Sequence, residues 1–291
     1  MIAFTTAIMD PEAYRRYARP GIARTAEPDS VVRALAATPS VARSANLLLD
    51  DAARLPGLEA LVIVDQTAEI TDPACCAKLR AALADPGVAV VGAAGARGVR
   101  SIAWWDGEVS AGPVRLRHDE HGGGELAAFG FADPGPAPQE VEAVGGFLLA
   151  LSPWAVQTLR FDETLHLGYG YDVDFCARAR AEGRAVVTAD VGVTLHRALD
   201  LVTEEQAQAW IEAHIALAAR SAAEPSEAAW RARARRTEAE RDAARTLAYS
   251  NRLRVDAHAL ELEAELEAAT ATPGWRLTTP LRRLNALRRR R

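Results

Sequence analysis

Apolar and polar positions fall into blocks along the first two hundred residues, and each block predicts an element. Ile2–Ile8 is a short β-prone run, and Asp10-Pro11 after it is a helix start. The segment from Asn46 to Leu55 reads as a helix stopped by Pro56-Gly57. Ala60-Leu61-Val62-Ile63-Val64 is apolar throughout, as in a strand buried on both faces. Asp72-Pro73 opens a helix that continues to Leu83, and Gly87–Gly92 is a second buried strand. This rhythm predicts an α/β fold with a mostly parallel sheet flanked by helices. Ligands in such folds collect at the carboxyl ends of the strands.

The pattern then changes twice. Gly122-Gly123-Gly124 and the proline-rich stretch from Asp133 to Pro138 break residues 106–140 into irregular loops and a small mixed sheet. Thr203-Glu204-Glu205-Gln206 is a capping box that opens a helix to about Ala219. Beyond Pro225, residues 226–269 are rich in Ala, Glu and Arg and lack Gly and Pro, which predicts a long helical extension or coiled coil. Its apolar spacing is too loose for a strict heptad. Pro273-Gly274 ends it, and a basic amphipathic tail follows, with Thr279 and Pro280 as helix start and Leu281, Leu284 and Leu287 near one face. The expected organisation is a domain over 1–220, a long helix over 221–272 and a tail over 273–291.

Composition narrows the function classes. A hydrophobic fraction of 49% in 291 residues allows a sizeable core. The net charge of −5 argues against nucleic acid as a partner. It hides an asymmetry, because residues 271–291 hold seven arginines and no acid and leave −12 on the rest of the chain. Three cysteines, two of them adjacent, argue against a disulfide framework and for a reducing compartment. The first residues lack a basic region before their short apolar stretch, and no apolar run reaches 18 residues. The expected location is cytoplasmic, with peripheral attachment at the inner face of the membrane as an option.

Candidate chemistry concentrates between residues 144 and 196. An apolar Gly-Gly strand, Val144-Gly145-Gly146-Phe147-Leu148-Leu149-Ala150, precedes Phe161-Asp162-Glu163. Next come Gly168-Tyr169-Gly170-Tyr171-Asp172-Val173-Asp174-Phe175, then Arg178 and Gly183, then a strand ending in His196. A glycine-loosened loop thus delivers two carboxylates at a helix start, with an imidazole at a strand end, which are the parts of a base- or metal-assisted transfer site. Two positions on a helix are separated by about 200°, so Asp172 and Asp174 cannot share a face. Asp172 is taken as the site residue and Asp174, paired with Arg178, as its support. Asp172 as a plain N-cap and Asp174–Arg178 as a plain surface pair remain open.

The order and spacing of these residues resemble inverting glycosyltransferases of family two, which have the GT-A fold, and among them the divergent branch in which the first acidic position is not acidic. Here that position is Tyr171. The resemblance spans about residues 1–200 and is specific over about 140–200. It implies transfer of a sugar from a nucleotide-sugar donor to a glycan or lipid-linked acceptor, with Asp172 as general base and Gly145, Gly146 and Tyr171 on the acceptor side. Ser40 to Asn46 resembles the donor-side segment, which puts Asn46 near the nucleotide sugar, with Asn46 as a plain helix N-cap still open, and Thr5 and Thr6 on the first strand fall near where the family places its base. Cell-surface glycan synthesis is the setting it implies.

The resemblance also implies a divalent cation, Mn2+ or Mg2+, held by Asp65 after the buried strand and by His196. Thr67 stands where the metal-binding aspartate is expected, and a hydroxyl is a far poorer ligand than a carboxylate. Glu69 or Asp72 would have to complete the set. Two other classes stay open: a degenerate domain that binds a sugar nucleotide or partner without turnover, and an assembly protein working through the long helix over 226–269, as a homo-oligomer, and the arginine tail. The tail over 275–291, with Trp275, suits an anionic membrane surface.

Overall fold

A computed structural model of the chain describes residues 1–36, 40–118, 129–130, 138–165, 168–197, 203–220, 231, 234–235 and 259–271. The chain divides into two units, Met1–Ala222 and Ala223–Arg291. In the second unit residues 259–271 are helical, within the extension that composition predicts. The rest of 221–258 and the basic tail over 273–291 lie outside the described residues. No helix among the described residues is long and apolar enough to cross a membrane.

The strands of the first unit are β1 (Ile2–Ile8), β2 (Val31–Ala36), β3 (Ala60–Val64), β4 (Ala68–Ile70), β5 (Val88–Gly92), β6 (Ala94–Arg97) and β7 (Glu108–Ala111). They continue with β8 (Val114–His118), β9 (Phe129–Gly130), β10 (Glu140–Val141), β11 (Ala143–Val144), β12 (Leu148–Leu151), β13 (Ala185–Thr188) and β14 (Val193–Arg197). The helices are α1 (Pro11–Ala13), α2 (Arg19–Thr25), α3 (Val41–Ala52), α4 (Cys75–Ala82), α5 (Pro153–Thr158), α6 (Tyr171–Ala181) and α7 (Glu204–Arg220). A π-helical stretch, Tyr14–Ala18, joins α1 to α2.

Seven described strands form the main sheet in the order β10-β13-β5-β12-β3-β1-β2. β2, β1 and β3 run parallel, as do β5 and β13, while β12 enters antiparallel between β3 and β5. The expected α/β class with a mostly parallel sheet is therefore present. β3 and β5 are buried at every position, which is why their sequences are apolar without alternation. Because β12 is reversed, its first residues meet the carboxyl ends of its neighbours, Leu148 opposite Val64 and Leu149 opposite Gly92. The Gly-Gly segment thereby arrives at the ligand-binding edge of the sheet.

Two smaller sheets, β11-β6-β7 and β4-β14-β8-β9, stand beside it. Helix ends follow the capping rules. Asp10 Oδ1 accepts from the N–H groups of Glu12 and Ala13, with Pro11 at the first helical position. The Thr203–Gln206 capping box forms as expected, each side chain bonded to the other residue's N–H. One start differs: α3 begins at Val41, capped by Ser40, and not at Asn46. Both residue types cap well, but Asn46 has another use within the helix.

Candidate functional site

Helix α6 starts abruptly because Gly170 takes a left-handed conformation, with φ of 72°. A Cβ there would meet Ile102 at 2.6 Å and Leu217 at 2.7 Å, so glycine is required for space as well as for backbone. The turn sets Asp172 and Asp174 in the first helical turn, where the helix dipole favours negative charge. They point apart, as the helix period demands. Asp174 is 2% exposed and forms an ion pair with Arg178. Asp172 turns toward the Gly-Gly segment, and its Oδ2 accepts the Gly146 N–H at 2.8 Å while Oδ1 accepts the Val173 N–H at 2.9 Å.

Tyr171 holds the following peptide of the same residue, its hydroxyl donating to the Gly146 carbonyl at 2.8 Å. Gly146 is thus clamped at both N–H and C=O by consecutive residues of α6. A side chain at Gly146 would drive into the Tyr171 hydroxyl and the Asp172 Cβ. Burial pushes the Asp172 carboxyl up to about 6, against the opposing pull of the two backbone N–H bonds. Burial also raises the Tyr171 phenol well above its usual range, and the charges of Asp172 and Asp65 add to that. Tyr171 as a whole is partly buried, and its hydroxyl end is enclosed.

Asp65 joins this group from the end of β3. Its N–H donates to the Phe147 carbonyl at 3.0 Å, next to Gly146. Its Oδ1 accepts both the N–H of Thr67 at 2.8 Å and the Thr67 hydroxyl at 2.6 Å, a tight turn built by one carboxylate. Asp65, Gly146, Tyr171 and Asp172 therefore gather at the carboxyl edge of the sheet. Gly145 packs flat against aromatic rings, and a Cβ there would meet Phe147 and Trp104 at 2.6 Å each.

His196 is placed differently from the expectation that it follows a strand of the same sheet as Asp65. It lies within β14, in the four-stranded sheet, and its N–H donates to the Thr67 carbonyl at 2.9 Å. Its ring is 4% exposed and already housed. Nε2 lies 3.0 Å from Glu69 Oε2, Tyr17 stacks on the imidazole at 3.8 Å, and Glu69 in turn pairs with Arg24 at 3.1 Å. Among the described residues no group of three or more His, Cys, Asp or Glu is arranged to hold a metal ion. Thr67 spends its hydroxyl on Asp65, and Glu69 faces His196 and Arg24. This donor set does not fit the divalent cation that the resemblance implies.

The donor-side candidates are structural in their visible contacts. Asn46 uses both ends of its amide, Oδ1 accepting the Phe161 N–H at 2.8 Å and Nδ2 donating to the Phe161 carbonyl and Glu163 Oε1, each at 3.0 Å. It pins the Phe161-Asp162-Glu163 segment to α3, and the Phe161 ring stacks on Phe175 of α6 at 4.4 Å. Thr6 is fully buried in β1, and its hydroxyl, like that of Thr5, has no hydrogen-bond partner among the described residues. Sequence reasoning missed the aromatic residues Trp104, Trp105 and Trp210 near Gly145 and the Gly170 turn. Their signal was the adjacent Trp104-Trp105 pair.

No protein-family model matches the chain. Over 199 residues it is 27% identical to the streptomycin biosynthesis protein StrF of Streptomyces griseus, an alignment covering 67% of this chain and 66% of that protein. The chain thus spans just under two thirds of that relative's length. Among solved structures it is similar to GalNAc-T7 with UDP, GalNAc and Mn2+, at a TM-score of 0.49 and 7% identity over 73% of this chain and 47% of that one. It is also similar to the mannosyltransferase PcManGT from Pyrobaculum calidifontis in complex with GDP-Man and Mn2+, at 0.45 and 15% over 77% and 65%. A third is A197 from STIV, at 0.42 and 13% over 66% and 83%. The strand order, not these scores, defines the fold.

Proposed function

We propose that the chain is a glycosyltransferase that moves a hexosyl or deoxyhexosyl group from a nucleotide-sugar donor to an acceptor hydroxyl with inversion. One observation carries the reading: a buried carboxylate, Asp172, oriented by two backbone N–H groups at a helix start and titrating at about 6, stands at the ligand-binding edge of the sheet. A base that is ionised near neutral pH yet close enough to accept a proton is what such a displacement needs. The acceptor oxygen bonds to the anomeric carbon, its proton passes to Asp172, and the bond to the nucleoside diphosphate breaks, with no covalent enzyme intermediate.

The remaining residues take supporting parts in this reading. Gly145, Gly146 and Tyr171 shape the acceptor side, Asp174 and Arg178 fix the helix start, and Asp65, Thr6 and Asn46 line or brace the donor side. The relative in streptomycin biosynthesis supports a biosynthetic role, and cell-surface glycan synthesis is the setting we retain. The tail over 275–291 would lie on the anionic inner face of the membrane, and 226–269 would pair two copies.

A specific observation favours a second reading, a sugar-nucleotide-binding domain without turnover. Thr67 and His196, which would flank a metal, are committed to Asp65 and Glu69. One assay separates the two. Full-length protein is incubated with UDP-, GDP- and dTDP-sugars, divalent metal and a panel of glycoside acceptors, and nucleoside diphosphate release is measured alongside binding. Release that Asp172→Asn abolishes supports the transferase, whereas binding without release in the wild type supports the second reading.

A further inference from the structure

Ile102, Leu165 and Ala213 form a small buried cluster apart from the main core, with Tyr169, Tyr171, Trp210 and Leu217 packed on it. It adjoins the Gly170 turn, whose backbone touches Ile102 and Leu217. A row of rings runs outward from it. Tyr169 sits edge-on to Trp210 with centroids 5.3 Å apart, and Trp210 lies 5.8 Å from Trp105 at an interplanar angle of 37°. Trp104 is buried, holds Trp105 edge-on at 5.9 Å and presses its six-membered ring on Gly145. The row thus runs from the small cluster to Gly145, next to the Gly146 N–H that Asp172 accepts, and its middle member, Trp105, is 46% exposed.

A single exposed apolar side chain needs no explanation. Here the exposed indole belongs to a ring cluster that also packs at the helix start of the candidate base. Trp105 is 46% exposed although Trp104 and Trp210 both contact its ring, so part of the indole is open to solvent. An aromatic face is electron-rich, and the complementary surface is a sheet of weakly positive C–H groups. A pyranose ring has that surface on one side and hydroxyls around its rim. Exposed Ile211 and Ile215 lie one turn apart on another face of α7, so the row is not part of a broad apolar patch.

Resting on the transferase reading, we infer that Trp105, backed by Trp210 and Tyr169, is a pyranose-stacking subsite that lays the acceptor along the approach to Asp172. The ligand class is a neutral sugar or glycoside offering its C–H face. The subsite sets where the acceptor ring lies and leaves proton transfer to Asp172.

The test uses the full-length protein and an array of neutral mono- and disaccharide pyranosides, with dissociation constants from calorimetry for those retained. Trp105→Ala is expected to weaken binding at least tenfold, and Trp105→Phe to keep it within about threefold, with circular dichroism and melting unchanged in both. Equal binding by Trp105→Ala and wild type overturns the inference. So does a wild type that retains no pyranoside at millimolar concentration, or one whose self-association in sedimentation is abolished by Trp105→Ala while no sugar binds. Donor hydrolysis by the wild type, measured in parallel, tests the transferase reading separately. Trp105-dependent sugar binding without hydrolysis leaves the subsite standing, and hydrolysis with Trp105-independent binding removes the subsite alone.

Discussion

At residue scale the burial of Asp172 has two opposite consequences. As a base it needs to be ionised, so transfer should rise with pH through about 6 and level off above it. Asp172→Asn should lower transfer by about 10²–10⁴-fold and flatten that profile, read as kcat/KM against pH. For stability the sign reverses. The folded carboxyl holds its proton more tightly than the unfolded one, so between pH 4 and 6 stability falls as pH rises, and the loss is complete above about 6. The asparagine variant escapes this cost. Its stability in urea titrations should therefore stay nearly flat between pH 4 and 7.5, while that of the wild type falls over the same range.

Thr67 offers a second test at the same scale. Its hydroxyl and N–H both bind Asp65 Oδ1. Thr67→Asp would set two carboxylates side by side, which repel unless a cation joins them. The variant is expected to melt lower than wild type in chelator and to gain several degrees in MnCl2, while the wild type gains little; thermal melts with and without Mn2+ decide it.

At element scale the clamp between α3 and the Phe161 segment is the joint to probe. Asn46→Ala leaves the Phe161 N–H and C=O without their partner in a buried place. A loss of about 2–4 kcal/mol in urea unfolding is expected. Leu at the same position should be no better, because it fills space without restoring the two bonds.

This scale also shows how far sequence reading reached. Strands β3 and β5 were legible because burial on both faces forces continuous apolar runs. The split of Asp172 from Asp174, and the pairing of Asp174 with Arg178, followed from the helix period alone. β2 carries no such signal, since its side chains are mostly exposed at the sheet edge. The four-stranded sheet was also illegible: β4 and β14 pair across more than a hundred residues, and no local pattern encodes that. His196 was misassigned to the main sheet for this reason. Asn46 has the sequence signature of a cap, and only the fold brings Phe161 to it.

At the scale of the whole molecule the two units invite separation. Met1–Ala222 contains every candidate site residue, so a protein ending at Ala222 is expected to keep sugar and nucleotide binding. The tail should matter for location instead. Each arginine near an anionic surface is worth about 1 kcal/mol, and seven arginines lie beyond residue 270. Full-length protein should co-sediment with phosphatidylserine liposomes and not with neutral ones, and truncation at Thr272 should abolish this. Equal sedimentation of the two lengths would remove the tail as an anchor.

Gly146, held at both its N–H and its C=O, has one more consequence. Its amide proton points straight into the carboxylate whose ionisation the chemistry depends on, with the carbonyl fixed from the opposite side by Tyr171. A hydrogen bond to a charged acceptor is markedly stronger than one to a neutral acid. The amide resonance of this one glycine will therefore move downfield as Asp172 loses its proton, giving the protein a native spectroscopic indicator of its own base. Nitrogen-15 labelling of glycine alone would let the charge state of the site be followed in the free protein and as each ligand binds.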